Sequence, residues 1–229
     1  MILASVLDVL FPPRCAACRE DLSLSGLTGH IGALCPTCDS TLEPIVDACR
    51  RCGVPGHSVA ACPDQDDVSA FDSMRAAYLY GAAVAQLIQR YKYSDRPELA
   101  RPLARSIAAL DLPDIDLVVP VPLHASRRRS RTYDQALYLA RGVARERGWV
   151  CQAGALRRDR ATARQVGQDK LARAMNVAGA FRVTRSVTGQ RVLLIDDVVT
   201  TGATAAECAR ALKAAGASQV HVAAIARAA

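Results

Sequence analysis

Aromatic residues are scarce in this 229-residue chain, where Phe, Trp and Tyr together make up 4% of the sequence. So few rings leave little scope for the stacking platforms on which single-strand-binding proteins rely. Long apolar runs are also missing, since no stretch reaches the ~18 residues of a membrane-spanning helix. The first eleven residues lack a basic segment and include Asp8, which favours a short amphipathic helix over a signal peptide. We therefore expect a cytoplasmic protein.

The chain has room for one large domain, or for one domain together with a small module, and 51% of its residues are hydrophobic. Its composition changes near residue 66, because cysteines and turn-forming residues dominate before that point and strand-like and helical patterns alternate after it. We predict an N-terminal helix with a cysteine-rich module over residues 1–66. Residues 67–229 are predicted to form an α/β domain.

Positive charge is concentrated in one segment. The whole chain has a net charge of +7, whereas residues 124–173 contain thirteen Arg and Lys against four Asp and Glu, a net charge of +9. The rest of the chain is therefore slightly acidic. A local excess of this size suits pyrophosphate or the backbone of a nucleic acid. A solvated, arginine-rich surface without a ligand remains the alternative.

Cysteines are nearly absent after Cys62, and seven of the nine lie between Cys15 and Cys62. In a reducing compartment such cysteines are expected to be metal ligands before they are disulfides. The pairs Cys15-x-x-Cys18 and Cys35-x-x-Cys38 each place two thiolates on one tight turn, and two such turns complete a tetrahedral zinc site. We predict a structural zinc at these four cysteines.

A second metal site is less complete in the sequence. Cys49, Cys52 and Cys62 provide three ligands, His57 is the candidate for the fourth, and Gln65 stands where a further cysteine would fit the spacing. The competing pairing, in which Cys49 and Cys52 replace one of the first two pairs, stays open. Because the module has little apolar core, zinc is expected to supply its folding energy. Loss of a ligand is then expected to unfold the module and to spare the sheet.

The remainder of the chain alternates between strand and helix patterns. Such alternation is typical of a mostly parallel sheet flanked by helices. Strands are predicted over residues 74–80, 116–122, 178–184, 192–195 and 220–225, and helices over residues 82–93, 97–110, 133–148 and 203–216.

Residues 192–204, VLLIDDVVTTGAT, combine a buried strand with polar residues at its end. Asp196 and Asp197 follow four apolar residues, and adjacent carboxylates there are costly unless they have a function. Residues 200–204 then lead into a helix, whose first N–H groups and threonine hydroxyls favour a phosphate. This segment therefore predicts a phosphate site beside a carboxylate pair that suits sugar hydroxyls and, through water, Mg²⁺.

The same thirteen residues resemble the phosphoribosyl-pyrophosphate (PRPP) signature of type I phosphoribosyltransferases. The resemblance implies that Asp196 and Asp197 are catalytic and hold the ribose hydroxyls, with Mg²⁺ bound together with PRPP. It also implies that the following loop holds the 5′-phosphate. The loop residues are Val198, Val199, Thr200, Thr201, Gly202, Ala203 and Thr204.

Two basic segments are candidates for binding pyrophosphate or DNA. The strand at 116–122 ends in prolines and leads into an arginine-rich turn before a helix, and in the phosphoribosyltransferases the corresponding strand end holds pyrophosphate. Residues 157–176 form a long polar stretch that is typical of a loop closing over a ligand. The candidates are His124, Arg127, Arg128, Arg129 and Arg131 in the first segment, and Arg158, Arg164, Lys170 and Arg173 in the second. His124 is also a candidate general base, although a lone histidine is more often structural.

Taken together, these motifs resemble the ComF family along nearly the whole chain. The matching pieces are the cysteine-rich module, VPVPLH at 119–124, the arginine-rich turn at 127–136, Thr162-x-x-Gln165, residues 176–181 and the PRPP signature. The family usually has Asn where this chain has Asp134, and the added negative charge puts the identity of the ligand in question. Family members include phosphoribosyltransferase-like proteins implicated in DNA uptake during natural transformation.

Two functions follow from this resemblance. The first is enzymatic transfer of a phosphoribosyl group from PRPP to an unknown acceptor. The second is a non-catalytic role, in which the protein binds single-stranded DNA and works with a DNA-uptake helicase. Tyr91, Tyr93 and Tyr133 are the candidates for stacking against bases in the second case.

Overall fold

A computed structural model of the chain describes residues 14–22, 31, 33–62, 69–93, 96–123, 133–159 and 179–228. The helices in this part of the chain are α1 (Pro36–Ser40), α2 (Ala82–Tyr93), a 3-10 turn (Pro97–Leu99), α3 (Ala100–Ala108), α4 (Gln135–Arg147) and α5 (Ala203–Ala214). The strands are β1 (Ser73–Leu79), β2 (Leu117–Pro120), β3 (Val150–Cys151), β4 (Leu156–Arg158), β5 (Phe181–Val183), β6 (Arg191–Val199) and β7 (Gln219–Arg227). None of the described helices has the length and apolar character needed to cross a membrane.

Five strands form one parallel sheet in the order β1-β7-β6-β2-β3. Strands β6 and β7 are its centre, and they pair along their full length from Arg191 opposite Gln219 to Val199 opposite Arg227. Their apolar residues are buried apart from the partly buried Val198, as is usual where helices cover both faces of a parallel sheet. The predicted α/β class with a mostly parallel sheet is confirmed.

Side chains of the central strand alternate between two hydrophobic clusters. Leu193 and Ile195 pack in the cluster formed with α2, α3 and α4, while Val192 and Leu194 pack in the cluster formed with α5. This alternation follows from the two-residue repeat of a β-strand. The sheet is therefore a middle layer, and the loop between β6 and α5 emerges at the carboxyl ends of its strands.

The two cysteine groups pack on opposite faces of this sheet. Cys15 and Cys35 belong to the cluster of α2, α3 and α4, whereas Cys49, Cys52 and Cys62 belong to the cluster of α5. The predicted boundary at residue 66 lies outside the described residues. On either side of it, the cysteine-rich segment and the sheet contribute to the same hydrophobic clusters.

A short extended segment joins the cysteine-rich residues to the sheet edge. The amide of Ile45 donates to the carbonyl of Ala77 at 3.0 Å, and the amide of Leu79 donates to the carbonyl of Glu43 at 2.9 Å. These two bonds cover part of β1, the outermost strand on that side. Because an open strand edge invites pairing with another chain, this contact also protects the sheet.

Two strand predictions need correction. Strand β6 continues past residue 195 to Val199, so the acidic pair lies within the strand and not after it. The strand predicted over residues 178–184 is β5, which pairs antiparallel with β4 in a separate two-stranded sheet. Neither β3 nor β4 was predicted, since two- and three-residue strands carry almost no periodic signal.

Candidate functional site

The acidic pair is held near the carboxyl end of the central strand. Asp196 is opposite Ala224 of β7 in the register, and both Asp196 and Asp197 are partly buried. The amide of Asp197 donates to the Asp196 carboxylate at 2.8 Å, which orients that side chain. Two carboxylates therefore lie at the strand end where parallel α/β sheets bind ligands.

The loop after β6 forms a small cavity of about 40 Å³. Gly202 has φ of +86°, a left-handed conformation that suits glycine, and it precedes the first turn of α5. The Thr201 hydroxyl accepts a hydrogen bond from the amide of Ala203 at 3.3 Å. Threonine hydroxyls and a helix N-terminus in one concave loop are suited to a phosphate group. The cavity is lined by Asp196, Val198, Val199, Thr200, Thr201, Gly202, Ala203, Thr204 and Ala205.

Lys92 supplies a positive charge that the sequence did not reveal. Its ammonium group lies 2.7 Å from the Asp197 carboxylate, and both side chains are largely buried, with 20% and 13% of their surface exposed. The basic end of the helix at 82–93 indicated only a favourable helix terminus. The two residues are more than one hundred positions apart, so no local pattern links them.

A group of tyrosines and one glutamine holds Lys92 in place. The hydroxyl of Tyr133 donates to the carbonyl of Tyr91, and the hydroxyl of Tyr91 donates to the carbonyl of Gln135 at 2.8 Å. The Gln135 side chain, which is buried, donates to the Lys92 carbonyl at 3.4 Å. The end of α2 is thus fixed by the start of α4, immediately after the arginine-rich turn.

Asp196 has an unusual protonation equilibrium. Burial, and after it the neighbouring Asp197 carboxylate, raises the pKa of Asp196 to about 7, while the cations Lys92 and Arg158 oppose this rise. In the absence of ligand, a substantial fraction of this carboxyl is therefore protonated at neutral pH. A cationic ligand or a metal ion beside it would favour the charged form.

Asp134 caps a helix. Its carboxylate accepts a hydrogen bond from the amide of Leu137 at 3.1 Å, at the N-terminus of α4. Aspartate and asparagine are about equally effective in that position. Asp134 therefore has a structural role that does not depend on a ligand.

Most of the predicted anion-binding residues, namely His124, Arg127, Arg128, Arg129, Arg131, Arg164, Lys170 and Arg173, lie outside the described residues. Arg158, which was predicted in a closing loop, is instead in β4, with its guanidinium 5.3 Å from the centre of the Phe181 ring. Its positive charge acts on the site by lowering the pKa of Asp196.

The three tyrosines predicted to stack against bases differ in their exposure. Tyr91 is fully buried, so its prediction as a stacking platform is wrong. Tyr133 is half-buried and packs edge-on against Tyr91 and Tyr138. Tyr93 has 61% of its surface exposed and remains a candidate. Aromatic type and spacing alone do not distinguish a core ring from a surface ring.

Both cysteine groups bring four metal-binding atoms together within 4.8 Å of one another. The first group is Cys15, Cys18, Cys35 and Cys38, as predicted from the spacing. The second group is Cys49, Cys52, His57 and Cys62, in which the imidazole lies 3.1 Å from the Cys52 sulfur and supplies the ligand that the sequence left open. Four thiolate or imidazole ligands match the donor set of a structural zinc site.

Two family models match the sequence. Residues 6–65 match the double zinc ribbon domain, and residues 99–229 match the phosphoribosyl transferase domain. The first match agrees with the two four-ligand groups, and the second includes the acidic pair and the loop that follows it. The structure and the family models therefore support structural zinc in the N-terminal module.

Curated relatives match along nearly the whole chain. The DNA utilization protein YhgH of Salmonella typhi is 33% identical over 228 residues, which cover 92% of this chain and 95% of that protein. YhgH of Escherichia coli K12 is 34% identical with the same coverage, and competence protein F of Haemophilus influenzae is 28% identical over 94% of this chain and 97% of its own.

Among solved structures, the glutamine PRPP amidotransferase of Bacillus subtilis aligns with 60% of this chain and 30% of its own. The sequence identity is 25% and the TM-score is 0.43, a likeness that supports no argument about the fold. The family models and the curated relatives are sufficient to assign the family. This chain belongs to the ComF family of phosphoribosyltransferase-domain proteins and carries an N-terminal zinc module.

Proposed function

We propose that the protein binds PRPP at the end of β6 and transfers its phosphoribosyl group to an acceptor. The observation that carries this proposal is the acidic pair Asp196 and Asp197 adjoining the cavity of residues 198–205. The loop amides and the hydroxyls of Thr200 and Thr201 bind the 5′-phosphate. The carboxylates accept hydrogen bonds from the ribose hydroxyls, which places the reacting carbon of the sugar above the strand end.

The charge distribution of the site suits this reaction. As the bond to pyrophosphate breaks, the sugar carbon becomes positively charged, and the two carboxylates stabilise that charge. Asp196 and Asp197 would hold Mg²⁺ when it binds with PRPP, and the metal would supply positive charge to neutralise the leaving group. Lys92 balances Asp197 before the ligand arrives, so the empty site does not hold two uncompensated carboxylates.

Calorimetric titration with PRPP and Mg²⁺ tests the binding step. We expect saturable binding by the wild-type protein. Thr201→Ala should weaken it about ten- to hundredfold, because one hydrogen bond to a charged group is lost. Thermal melts should show that the variant remains folded. Absence of binding by folded wild type at millimolar PRPP would contradict the proposal.

Pyrophosphate release tests the transfer step. Replacing both Asp196 and Asp197 by Asn keeps the phosphate contacts but removes the negative charge that stabilises the cationic sugar. Turnover, measured over a panel of candidate acceptors, should then fall more than PRPP affinity does. Equal losses in turnover and affinity would assign the carboxylates to binding alone.

The second candidate function is the binding of single-stranded DNA, which accounts for the net charge of +9 over residues 124–173. Relatives named DNA utilization protein and competence protein favour this role. In a cytoplasmic setting, where PRPP is available and the cysteines stay reduced, such a protein could work beside a DNA-uptake helicase. Both functions can coexist in one protein, and they would share Arg158, whose charge acts on Asp196.

Salt-dependent binding distinguishes this second function. We expect sequence-independent binding of single strands that weakens steeply as salt increases. Reversing Arg127, Arg128 and Arg129 to Glu should abolish binding. The matched control makes the same change in charge outside the basic segment, at Arg101, Arg185 and Arg210. This control variant should retain most of the DNA binding. Binding that survives the first triple change would exclude the arginine-rich turn as the DNA site.

A further inference from the structure

Arg227 is a buried arginine that joins the phosphate-binding loop to the second cysteine group. It is the last residue of β7, and only 3% of its surface is exposed. Its guanidinium donates to the carbonyl of Cys52 at 2.8 Å, to the carbonyl of Val199 at 3.4 Å and to the carbonyl of Thr200. One side chain therefore contacts both a metal-binding turn and the loop after β6.

The contacts to Val199 and Thr200 orient the loop. In a trans peptide unit the carbonyl and the following N–H point in opposite directions, and the described residues contain no cis peptide bonds. The Val199 carbonyl also accepts from the amide of Ala228 at 3.0 Å, so the contact that depends most on the guanidinium is the one to Thr200. Holding the Thr200 carbonyl fixes the amide of Thr201 on the side away from the guanidinium. Such a hydrogen bond also polarises the peptide unit, which makes that amide a better donor to an anion.

The contact to Cys52 ties this arrangement to the metal-binding turn. The turn from Cys49 to Val54 is closed by backbone bonds from Gly53 to Cys49 at 2.8 Å and from Cys49 to Val54 at 3.0 Å. Its side chains form the second group with His57 and Cys62, so bound zinc would fix the position of the Cys52 carbonyl. Without that anchor the guanidinium loses one of its acceptors.

We propose that the second cysteine group sets the phosphate affinity of the loop through Arg227. This inference rests on the proposed PRPP function and assigns Arg227 as a positioning residue for that site. The first cysteine group is excluded from this role, because it packs on the opposite face of the sheet. The zinc module thus contributes to ligand binding as well as to folding.

Substitution at Arg227 is the direct test. Arg227→Lys keeps the charge but cannot reach all three carbonyls, and we expect it to weaken binding of both PRPP and inorganic phosphate about tenfold. Arg75 is a suitable control position, since it also donates to a carbonyl of the metal-binding turn, that of Arg50 at 3.5 Å. Arg75→Lys should stay within about twofold of wild type. Equal affinities in all three proteins would overturn the proposal.

Substitution at His57 tests the role of the metal. His57→Ala should lower the zinc content and weaken PRPP binding, whereas His57→Cys, which restores a four-ligand set, should recover both. Cys38→Ser in the first group should lower the zinc content with a smaller effect on PRPP. PRPP affinities are compared by calorimetry at a temperature where all variants are folded. If His57→Ala loses zinc but binds PRPP as tightly as wild type, the second cysteine group does not set the affinity of the loop.

Amide exchange separates this proposal from the PRPP function. Without any ligand, Arg227→Lys and His57→Ala should each accelerate exchange at Thr201 to Ala203 relative to wild type and to Arg75→Lys. If wild type does not bind PRPP but exchange is accelerated in the variants, the proposed function is wrong. The link from the second cysteine group through Arg227 to the loop is then still supported. If exchange is unchanged in both variants, the coupling between the second cysteine group and the loop is refuted, whatever ligand the protein binds.

Discussion

At the scale of single residues, the site depends on cations placed against two adjacent carboxylates. Lys92 lies 2.7 Å from Asp197, and its charge also lowers the pKa of Asp196. The sequence showed the carboxylates because they are neighbours in a recognisable motif. It did not show the lysine, since the contact between α2 and β6 exists only after the chain has folded.

Replacing Lys92 by Met should destabilise the protein more at pH 8 than at pH 5. A carboxyl group whose folded pKa is raised stabilises the fold at low pH, and that stability is lost as the pH rises through the folded pKa. Without Lys92 the pKa of Asp196 rises above its present value of about 7, so the loss is larger and extends to higher pH. We expect a decrease of about 1–3 kcal/mol in the free energy of unfolding at pH 8.

Urea unfolding at the two pH values measures this effect. Arg90→Met is a matched control, because it removes one positive charge from the same helix end without touching Asp197. The control should show a much smaller dependence on pH. If Lys92→Met and Arg90→Met behave alike, the ion pair with Asp197 does not stabilise the site.

In the absence of ligand, Asp196→Asn should gain stability relative to wild type as the pH rises to 8, whereas Lys92→Met should lose it. The amide stays neutral, so the variant escapes the loss of stability that wild type undergoes between pH 4 and about 7. Relative to wild type, we expect the variant to gain stability between pH 5 and pH 8, on the order of 2–3 kcal/mol at about 1.4 kcal/mol per pH unit. Wild-type stability that stays flat between these pH values would contradict the raised pKa. The same variant should bind PRPP more weakly.

At the scale of elements, strongly periodic segments were predictable and irregular ones were not. The helix expected over residues 82–93 agrees with α2, and the strand expected over 74–80 agrees with β1 to within one residue. The helix expected over 97–110 is instead a 3-10 turn from Pro97 followed by α3. Strand β6 was longer than predicted because pairing with β7 continues past the acidic pair, and such pairing is a tertiary effect.

Helices α3 and α4 are in contact through a glycine. A Cβ atom added at Gly142 would lie 2.5 Å from the Cβ of Ala104, closer than such atoms can approach. Helix propensity alone favours alanine by about 1 kcal/mol. Overpacking opposes it by about 1–3 kcal/mol, so we expect Gly142→Ala to destabilise the protein.

Urea midpoints for two further variants identify the cause. Gly81→Ala, immediately before α2, is the control for a methyl group that meets no neighbour, since no atom lies within 4 Å of an added Cβ there. Ala104→Gly combined with Gly142→Ala should recover part of the lost stability, because it removes the opposing methyl group. A stabilising Gly142→Ala would mean that the two helices can separate at little cost.

At the scale of the whole molecule, the zinc module and the sheet share their hydrophobic clusters. The sequence predicted an N-terminal module that could unfold by itself after loss of a zinc ligand. Cys15 and Cys35, however, pack with α2, α3 and α4, and residues 43–45 hydrogen-bond to β1. Composition marks where the cysteine-rich segment lies in the chain, but it does not reveal which surfaces that segment covers.

Loss of the first zinc should therefore also expose the edge of the sheet. The Leu79 amide reports on this edge directly, because its acceptor is the Glu43 carbonyl at 2.9 Å. In Cys35→Ser we expect fast exchange at Leu79, while the amide of Ala224, in β7 between β1 and β6, remains protected. The melting temperature of the remaining structure should fall as well, since the α2–α3–α4 cluster loses the packing of Cys15 and Cys35.

The control for this experiment is the second cysteine group. His57→Ala weakens metal binding on the other face, which does not include Cys15 or Cys35, and should leave Leu79 better protected than Cys35→Ser does. If Leu79 stays protected in Cys35→Ser while the zinc is lost, the module and the sheet are independent, as the sequence alone suggested. If Leu79 and Ala224 lose protection together, the zinc module is required for the whole domain to fold, because the unpaired β1 edge and the exposed cluster cannot be sustained without it.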